Sequence, residues 1–356
     1  MCRRDTSVRF LRVNAHGAGC PAGTFGRVFK QFMFISRTPF RVSFVGGGTD
    51  LPSFYQREGG AVISMAVDKY VYITVNRRFD DTLRLSYSQT EIAENLDQVR
   101  HPLFRETIRH TGLTSGLEIT SIADVPSGTG LGSSSSFAVG LLHALYAYQG
   151  KYKPAAELAD EACRLEIDIL DEPIGKQDQY AAAHGGLRRY DFNPDGSVYV
   201  HPVICSNQTK TALLERVMFF YLGGARDARQ VLTEQSNNTE QKIAFLQRIR
   251  CLVDTFWNVL VRGNGVGEVG EILHEAWVCK KQLASQVSNS AIDDLYDRAR
   301  RAGAAGGKLL GAGIGGFLML FCEPGRQNAV RDALKGIREI QFGLEPEGSK
   351  IIYVGN

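Results

Sequence analysis

No stretch of this sequence offers the ~20 consecutive apolar residues needed to cross a bilayer, so a membrane-spanning protein is not expected. Charge of one sign is missing as well. Lys and Arg number 41 against 38 Asp and Glu, a net of +3, which is too balanced for a bulk nucleic-acid binder. Paired cysteines are absent. The seven present are scattered and odd in number, with no CxxC and no His-spaced pair. That pattern argues against a disulfide framework or a zinc site and for free thiols in a reducing cytosol. The first 32 residues lack the continuous apolar segment of a signal peptide, and no internal repeat is visible. The expectation is a cytoplasmic protein with no membrane or nucleic-acid partner.

What remains is ordinary globular material, 44% hydrophobic and 22% charged. At 356 residues the chain suits two domains rather than one core. Residues 1–32 differ from the rest: six Lys or Arg stand against one acid, Asp5, with few periodic apolar positions. They are read as a disordered or non-native extension, and the remainder is slightly acidic. Met33 opens the strand-like "MFISRTPFRVSF". Alternating β-branched and aromatic residues in "FRVSFVG", "AVDKYVYITVNRRF" and "GLEITSIADVP" predict further strands. Helices are predicted after the serine run and over 154–170, with another in "GKQDQYAAAHGG". Strands "GLRRYDF" and "SVYVHPV" follow. Near residue 210 the pattern restarts with the strand "RVMFFYLGG". Helices over roughly 226–236, 239–263, 267–285, 289–302 and 326–337 follow it, and "KIIYVG" closes the chain. The reading is two α+β domains, 33–210 and 211–356.

"PSGTGLGSSSSFAVGLL" is the most informative stretch. Gly128, Gly130 and Gly132 permit positive φ and close backbone approach to a ligand. The serines stand where a helix begins and can cap it. A helix N-terminus offers unpaired N–H groups and partial positive charge, so the stretch suits a phosphate. No Lys follows the glycines, which excludes a Walker A loop, and Ser133 replaces the third glycine of a dinucleotide fingerprint. A flexible linker would not run straight into a periodic apolar helix. "RVSFVGGGTDLPSFY" and "GAGIGG" are further glycine-rich elements, each weak when taken alone.

Taken in order, the three segments resemble the motifs of the GHMP kinase superfamily, from about Ile35 to the C-terminus. The first is "PFRVSFVGGGTD" with Pro39, Arg41, Gly46 and Asp50, the second "PSGTGLGSSSSFAVG", and the third "KLLGAGIGGF". The resemblance implies a two-domain α+β fold with an N-terminal ribosomal-protein-like domain, a C-terminal ferredoxin-like domain and an active site in the cleft between them. It implies transfer of a phosphoryl group from ATP with Mg²⁺ to a small-molecule hydroxyl. Pro126, Gly128, Gly130, Leu131, Gly132, Ser133, Ser134, Ser135 and Ser136 are then the ATP-phosphate residues. Ser134 and Glu166 are the metal ligands, Glu166 lying twelve residues before Asp178 as in the galactokinase branch. Asp178, in "GKQDQY", is the base for the acceptor hydroxyl, and Arg41 neutralises charge on the transferring phosphoryl. Asp50, Gly47, Gly48, Thr49, Lys176, Arg226, Gly313 and Gly315 are substrate-site candidates.

The same segments look most like those of D-glycero-D-manno-heptose 7-phosphate kinases. That resemblance implies phosphorylation of the anomeric 1-hydroxyl in nucleotide-heptose biosynthesis for capsule or lipopolysaccharide. A free sugar such as L-fucose, or a non-catalytic ATP- and sugar-binding sensor, is the alternative. A sugar 7-phosphate needs cations, for which Lys176, Arg188, Arg189, Arg226 and Arg229 are candidates. The reading leaves a homo-oligomer open.

Overall fold

The alternating segments form strands, and strand pairing sets the frame of the site. The computed structural model describes residues 33–223, 229–313 and 315–355. The readings made for residues 1–32 and for Arg226 lie outside the described residues. Twelve strands are described: β1 (Phe34–Val45), β2 (Gly60–Arg77), β3 (Leu83–Ser86), β4 (Thr90–Ala93), β5 (Leu117–Ala123), β6 (Leu187–Phe192), β7 (Val198–Pro202), β8 (Val217–Gly223), β9 (Ala304–Leu309), β10 (Gly316–Cys322), β11 (Arg338–Ile340) and β12 (Lys350–Val354).

The first sheet runs β12-β1-β2-β5-β3-β4, and β6 pairs with both β2 and β7. Only the β3–β5 pair in it is parallel. The second sheet, β11-β8-β10-β9, is antiparallel throughout. Strand β10 is buried along its whole length, as its unbroken apolar sequence requires.

The helix Ser133–Tyr148 lies across β1 and β2. Its own Leu141, Leu142 and Leu145 are fully buried, each contributing roughly 2 kcal/mol of apolar burial. The helix can sit this close because Gly140 has no side chain; a Cβ there would fall 2.7 Å from Thr38 Oγ1. Two buried hydroxyls fasten the interface: Ser36 Oγ donates to Gly140 O at 2.8 Å and Ser136 Oγ to Pro39 O at 2.9 Å. In the second sheet, the helix Val269–Lys280 packs on β9 with similar intimacy. A Cβ on Gly306 would fall 1.8 Å from Gly270 O.

Three sequence expectations change. The expected helix over 154–170 is α-helical only from Ala155 to Cys163, and Arg164–Ile169 is a wider π-helical turn. Such turns carry an inserted residue and re-aim side chains, often at functional sites; here the turn contains buried Glu166. The serines do not cap their helix: its N-cap is Gly132, in the left-handed region at φ 75°. Finally, the last strand, read as closing the second domain, pairs instead with β1, from Phe34↔Val354 to Arg37↔Lys350. The segment before it is fastened to the first sheet too, with Glu345 N donating to Ala66 O at 2.9 Å. One apolar core, containing Phe44, Phe256, Phe219 and Phe317, runs across the 210/211 boundary.

Candidate active site

Strand β1 carries Arg41 inward, and its backbone N–H donates to Leu131 O at 3.0 Å. This bond ties the glycine-rich loop to the sheet. The loop turns at three glycines of positive φ, Gly128 (75°), Gly130 (84°) and Gly132 (75°). Gly130 lies against the third motif, where a Cβ would fall 2.5 Å from Leu310 O. The first and third motifs therefore close around the second, and a cleft of about 360 Å³ opens between them.

Arg41 and Asp178 meet in the cleft as a two-pronged pair. Arg41 Nε donates to Asp178 Oδ1 and its terminal nitrogen to Oδ2, both at 2.7 Å. The remaining Arg41 nitrogen donates to Gly130 O at 2.6 Å. The arginine is buried, whereas the Asp178 side chain is 23% exposed and faces the cleft. The planar guanidinium thus fixes the orientation of a carboxylate whose other lone pairs stay open. Asp50 is buried beside it, accepting from Gly48 N at 2.9 Å and Gln177 Nε2 at 3.0 Å. Burial pushes its carboxyl above the ordinary range, against the Gly48 N–H and with help from Asp178. Gly175 makes room for Asp50, since a Cβ there would fall 2.0 Å from Asp50 Oδ2.

Glu166 is 1% exposed. Its two oxygens accept from Ser134 Oγ and Gln179 Nε2, each at 2.6 Å. Burial pushes its pKa up to about 7, opposed first by the hydrogen bond from Ser134. A buried carboxylate beside a hydroxyl at a phosphate loop is a hard oxygen donor set. It suits Mg²⁺, which takes few protein ligands and keeps several waters. No group of three or more His, Cys, Asp or Glu suited to a metal occurs among the described residues. No side chain caps the helix beginning at Ser133, which leaves its first N–H groups for an anion.

Of the residues singled out by sequence, Arg41, Gly47, Gly48, Asp50, Gly128, Gly130, Gly132, Ser133, Ser134, Ser135, Glu166, Asp178, Gly313 and Gly315 line one cleft. Five others turn away from it. Pro126 O accepts from Thr129 Oγ1 in the turn, and Leu131 is in the core. Ser136 is spent on Pro39 O. Thr49 closes its own loop, its hydroxyl accepting from Ala61 N at 3.0 Å. Lys176 Nζ donates to Gly196 O at 2.7 Å and lies over the Tyr55 ring. Among the cations considered for a sugar phosphate, Arg188 donates to Gly185 O and Arg189 pairs with Asp191 and Asp254. Arg229 lines the cleft, paired with Glu172.

Sequence reading passed over Lys280, Lys308, Gln177 and Gln235, all of which line the cleft. Lys308 left a signal, since it lies near the end of a strand of otherwise small and apolar residues that should bury it. Lys280 left none, because a Lys-Lys pair at a helix end normally means solvated charge.

The chain matches the profile of the GHMP kinases N terminal domain over residues 91–186 and that of the GHMP kinases C terminal domain over 258–337. It is 28% identical over 331 residues to D-glycero-alpha-D-manno-heptose 7-phosphate kinase of Campylobacter jejuni, covering 88% of this chain and 97% of that one. It is 26% identical to the bifunctional fucokinase/GDP-fucose pyrophosphorylase of Arabidopsis thaliana, over 83% of this chain but only 30% of that longer protein. The fold superposes on a D-glycero-D-manno-heptose 1-phosphate kinase from Bacteroides thetaiotaomicron with a TM-score of 0.75 at 24% identity, covering 91% of this chain and all of the other. It also superposes on Lactococcus lactis galactokinase, complexed with galactose, with a TM-score of 0.70 at 17% identity, covering 92% and 96%. With both family domains in sequence and the two-domain α+β fold around the cleft, the chain belongs to the GHMP kinases and is a phosphotransferase acting on an alcohol group.

Proposed function

We propose that the protein is an ATP-dependent sugar kinase that phosphorylates the anomeric hydroxyl of D-glycero-D-manno-heptose 7-phosphate. The observation that carries the chemistry is the Arg41–Asp178 pair facing the cleft between the phosphate loop and Asp50. The full-length similarity to the Campylobacter jejuni heptose 7-phosphate kinase supports the substrate.

In this reading the uncapped helix start and Gly128–Ser135 hold the nucleotide phosphates through backbone N–H groups. Ser134 and Glu166 would hold Mg²⁺, which supplies charge neutralisation on the phosphates when bound. Asp50 accepts hydrogen bonds from sugar hydroxyls. Asp178, held by Arg41, orients the acceptor hydroxyl and takes its proton as the oxygen attacks the γ-phosphorus and ADP leaves. Positioning and charge supply most of the rate in such transfers, which fits a site whose principal carboxylate is fixed at both oxygens.

The test is ADP release with ATP, Mg²⁺ and a panel of heptose 7-phosphate, mannose, L-fucose, galactose and mevalonate. Highest kcat/KM on heptose 7-phosphate supports the proposal. Preference for L-fucose or another free sugar replaces the substrate and keeps the kinase, while no turnover with any acceptor favours a sensor.

A further inference from the structure

Two cations in the cleft have no part in the transfer outlined above. Lys280 ends the helix Val269–Lys280, and Lys308 lies in β9. They are 8% and 5% exposed. The close Gly270–Gly306 packing brings that helix and strand together, and both lysines reach the cleft. Lys280 Nζ donates to Gly311 O. Lys308 Nζ has no hydrogen-bond partner, and neither lysine forms an ion pair, among the described residues. A third donor lines the same cleft: Gln235 is 3% exposed and its Nε2 has no partner. It sits against the acceptor loop, where a Cβ on Gly48 would fall 2.3 Å from it.

Two neighbouring buried ammonium groups that form no ion pair among the described residues, with Asp50 and Asp178 acting on them only from a distance, are costly, and an anion offsets that cost. Burial, and then the neighbouring cation, lowers the pKa of each: Arg41 acts on Lys280, and Lys280 on Lys308. The nucleotide phosphates already have the loop at Gly128–Ser135. The lysines share the cleft with that loop, but they also stand with Gly47, Gly48 and Gln235 of the acceptor side and border Gly46 behind it. The anion this geometry calls for therefore belongs to the acceptor.

We propose that Lys280, Lys308 and Gln235 form the subsite for a phosphate monoester carried by the acceptor sugar. The proposal rests on the sugar-phosphate reading above and names the residues behind it. Lys176, Arg188 and Arg189, the described alternatives outside the cleft, are spent on other partners, and Arg229 is paired with Glu172.

The experiment uses the full chain and the variants Lys280→Met, Lys308→Met and the double substitution, each checked by thermal melting. Inorganic phosphate is titrated calorimetrically into enzyme saturated with a non-hydrolysable ATP analogue, so that the nucleotide loop is filled. Binding by the wild type, weakened on the order of tenfold by each substitution and abolished by both, is expected. In parallel, the ratio of kcat/KM for heptose 7-phosphate to that for unphosphorylated heptose should fall about tenfold per lysine. Unchanged phosphate binding in folded variants, or equal losses on the two sugars, overturns the subsite. Lysine-dependent phosphate binding in an enzyme that transfers to no sugar phosphate leaves an anion site at the lysines but overturns its assignment to the acceptor and the substrate reading with it. Turnover of heptose 7-phosphate with equal losses on both sugars overturns the subsite and keeps the substrate reading.

Discussion

Asp178 and Glu166 are both carboxylates of one cleft, yet their surroundings assign them different work. Asp178 has both oxygens on Arg41 and a face toward the cleft, whereas Glu166 is enclosed by Ser134 and Gln179. Asp178→Asn keeps the shape and removes the proton acceptor. It should lower kcat by roughly 10²–10⁴-fold while ATP still binds, as measured by steady-state kinetics and nucleotide titration. Residual turnover near wild type would remove Asp178 from the role of base. Glu166→Gln should instead raise the Mg²⁺ concentration needed for half-maximal rate, because an amide is the poorer ligand for a hard cation; an unchanged Mg²⁺ curve would exclude it as a ligand.

Lys280 adds a pH signature at the same scale. Burial and Arg41 push it from 10.5 down to about 8, against Asp50 and Asp178, with Lys308 facing it from β9. Between pH 8 and 10.5 the unfolded chain binds more protons than the folded one, so stability rises with pH across that window. The destabilisation is complete below the folded pKa and gone above the unfolded one. Relative to Lys280→Met, the wild type should gain on the order of 3 kcal/mol from pH 8 to 10.5, read from urea unfolding at a series of pH values. A constant difference between the two proteins would mean that Lys280 is not perturbed.

At the scale of elements, the glycine-rich loop is a contact surface as well as a turn. Gly130 combines φ of 84° with the backbone of Leu310 at its missing Cβ. Gly150 also has positive φ, 69°, but open space around it. Gly150→Ala should cost roughly 1–2 kcal/mol from backbone conformation alone. Gly130→Ala should cost more and also raise KM for ATP, because the loop must move off the third motif. Equal melting temperatures for the two variants would contradict the close packing. The same comparison shows what sequence could reveal. Glycines needed for close approach mark themselves by type, and the three motifs stood out for that reason. The π-helical turn at Arg164–Ile169 did not, because its residues have the periodicity of an ordinary helix. The serine cap was misjudged because glycine also serves at the N-cap, and here Gly132 takes that place, so the helix starts at Ser133 and its first N–H groups meet no capping side chain.

At the scale of the whole molecule, local pattern gave most strands and most helices, missing β4, β9 and β11 among others, but not which sheet a strand would join. "KIIYVG" looks the same at the edge of either sheet. Its pairing with β1 is decided by contacts more than 300 residues away along the chain, which no window of sequence contains. Lys280 was hidden by a non-local contact too, since the Gly270–Gly306 packing that carries it inward joins a helix to a strand outside any local window. Because one apolar core crosses the expected boundary, truncation at Ser349 should lower the melting temperature of the whole protein. Both sheets should then unfold in one calorimetric transition. Two separated transitions would indicate that the sheets are independent units.

The β1–β12 pairing also orders events during synthesis. The strand carrying Arg41 is made more than 300 residues before the segment that pairs with its Phe34–Arg37 end. Until then β1 presents unpaired N–H and C=O groups, the kind of edge on which other chains add and aggregate. The nascent protein therefore carries the Phe34–Arg37 end of this strand with one flank open until Lys350–Val354 has been made and can pair with it.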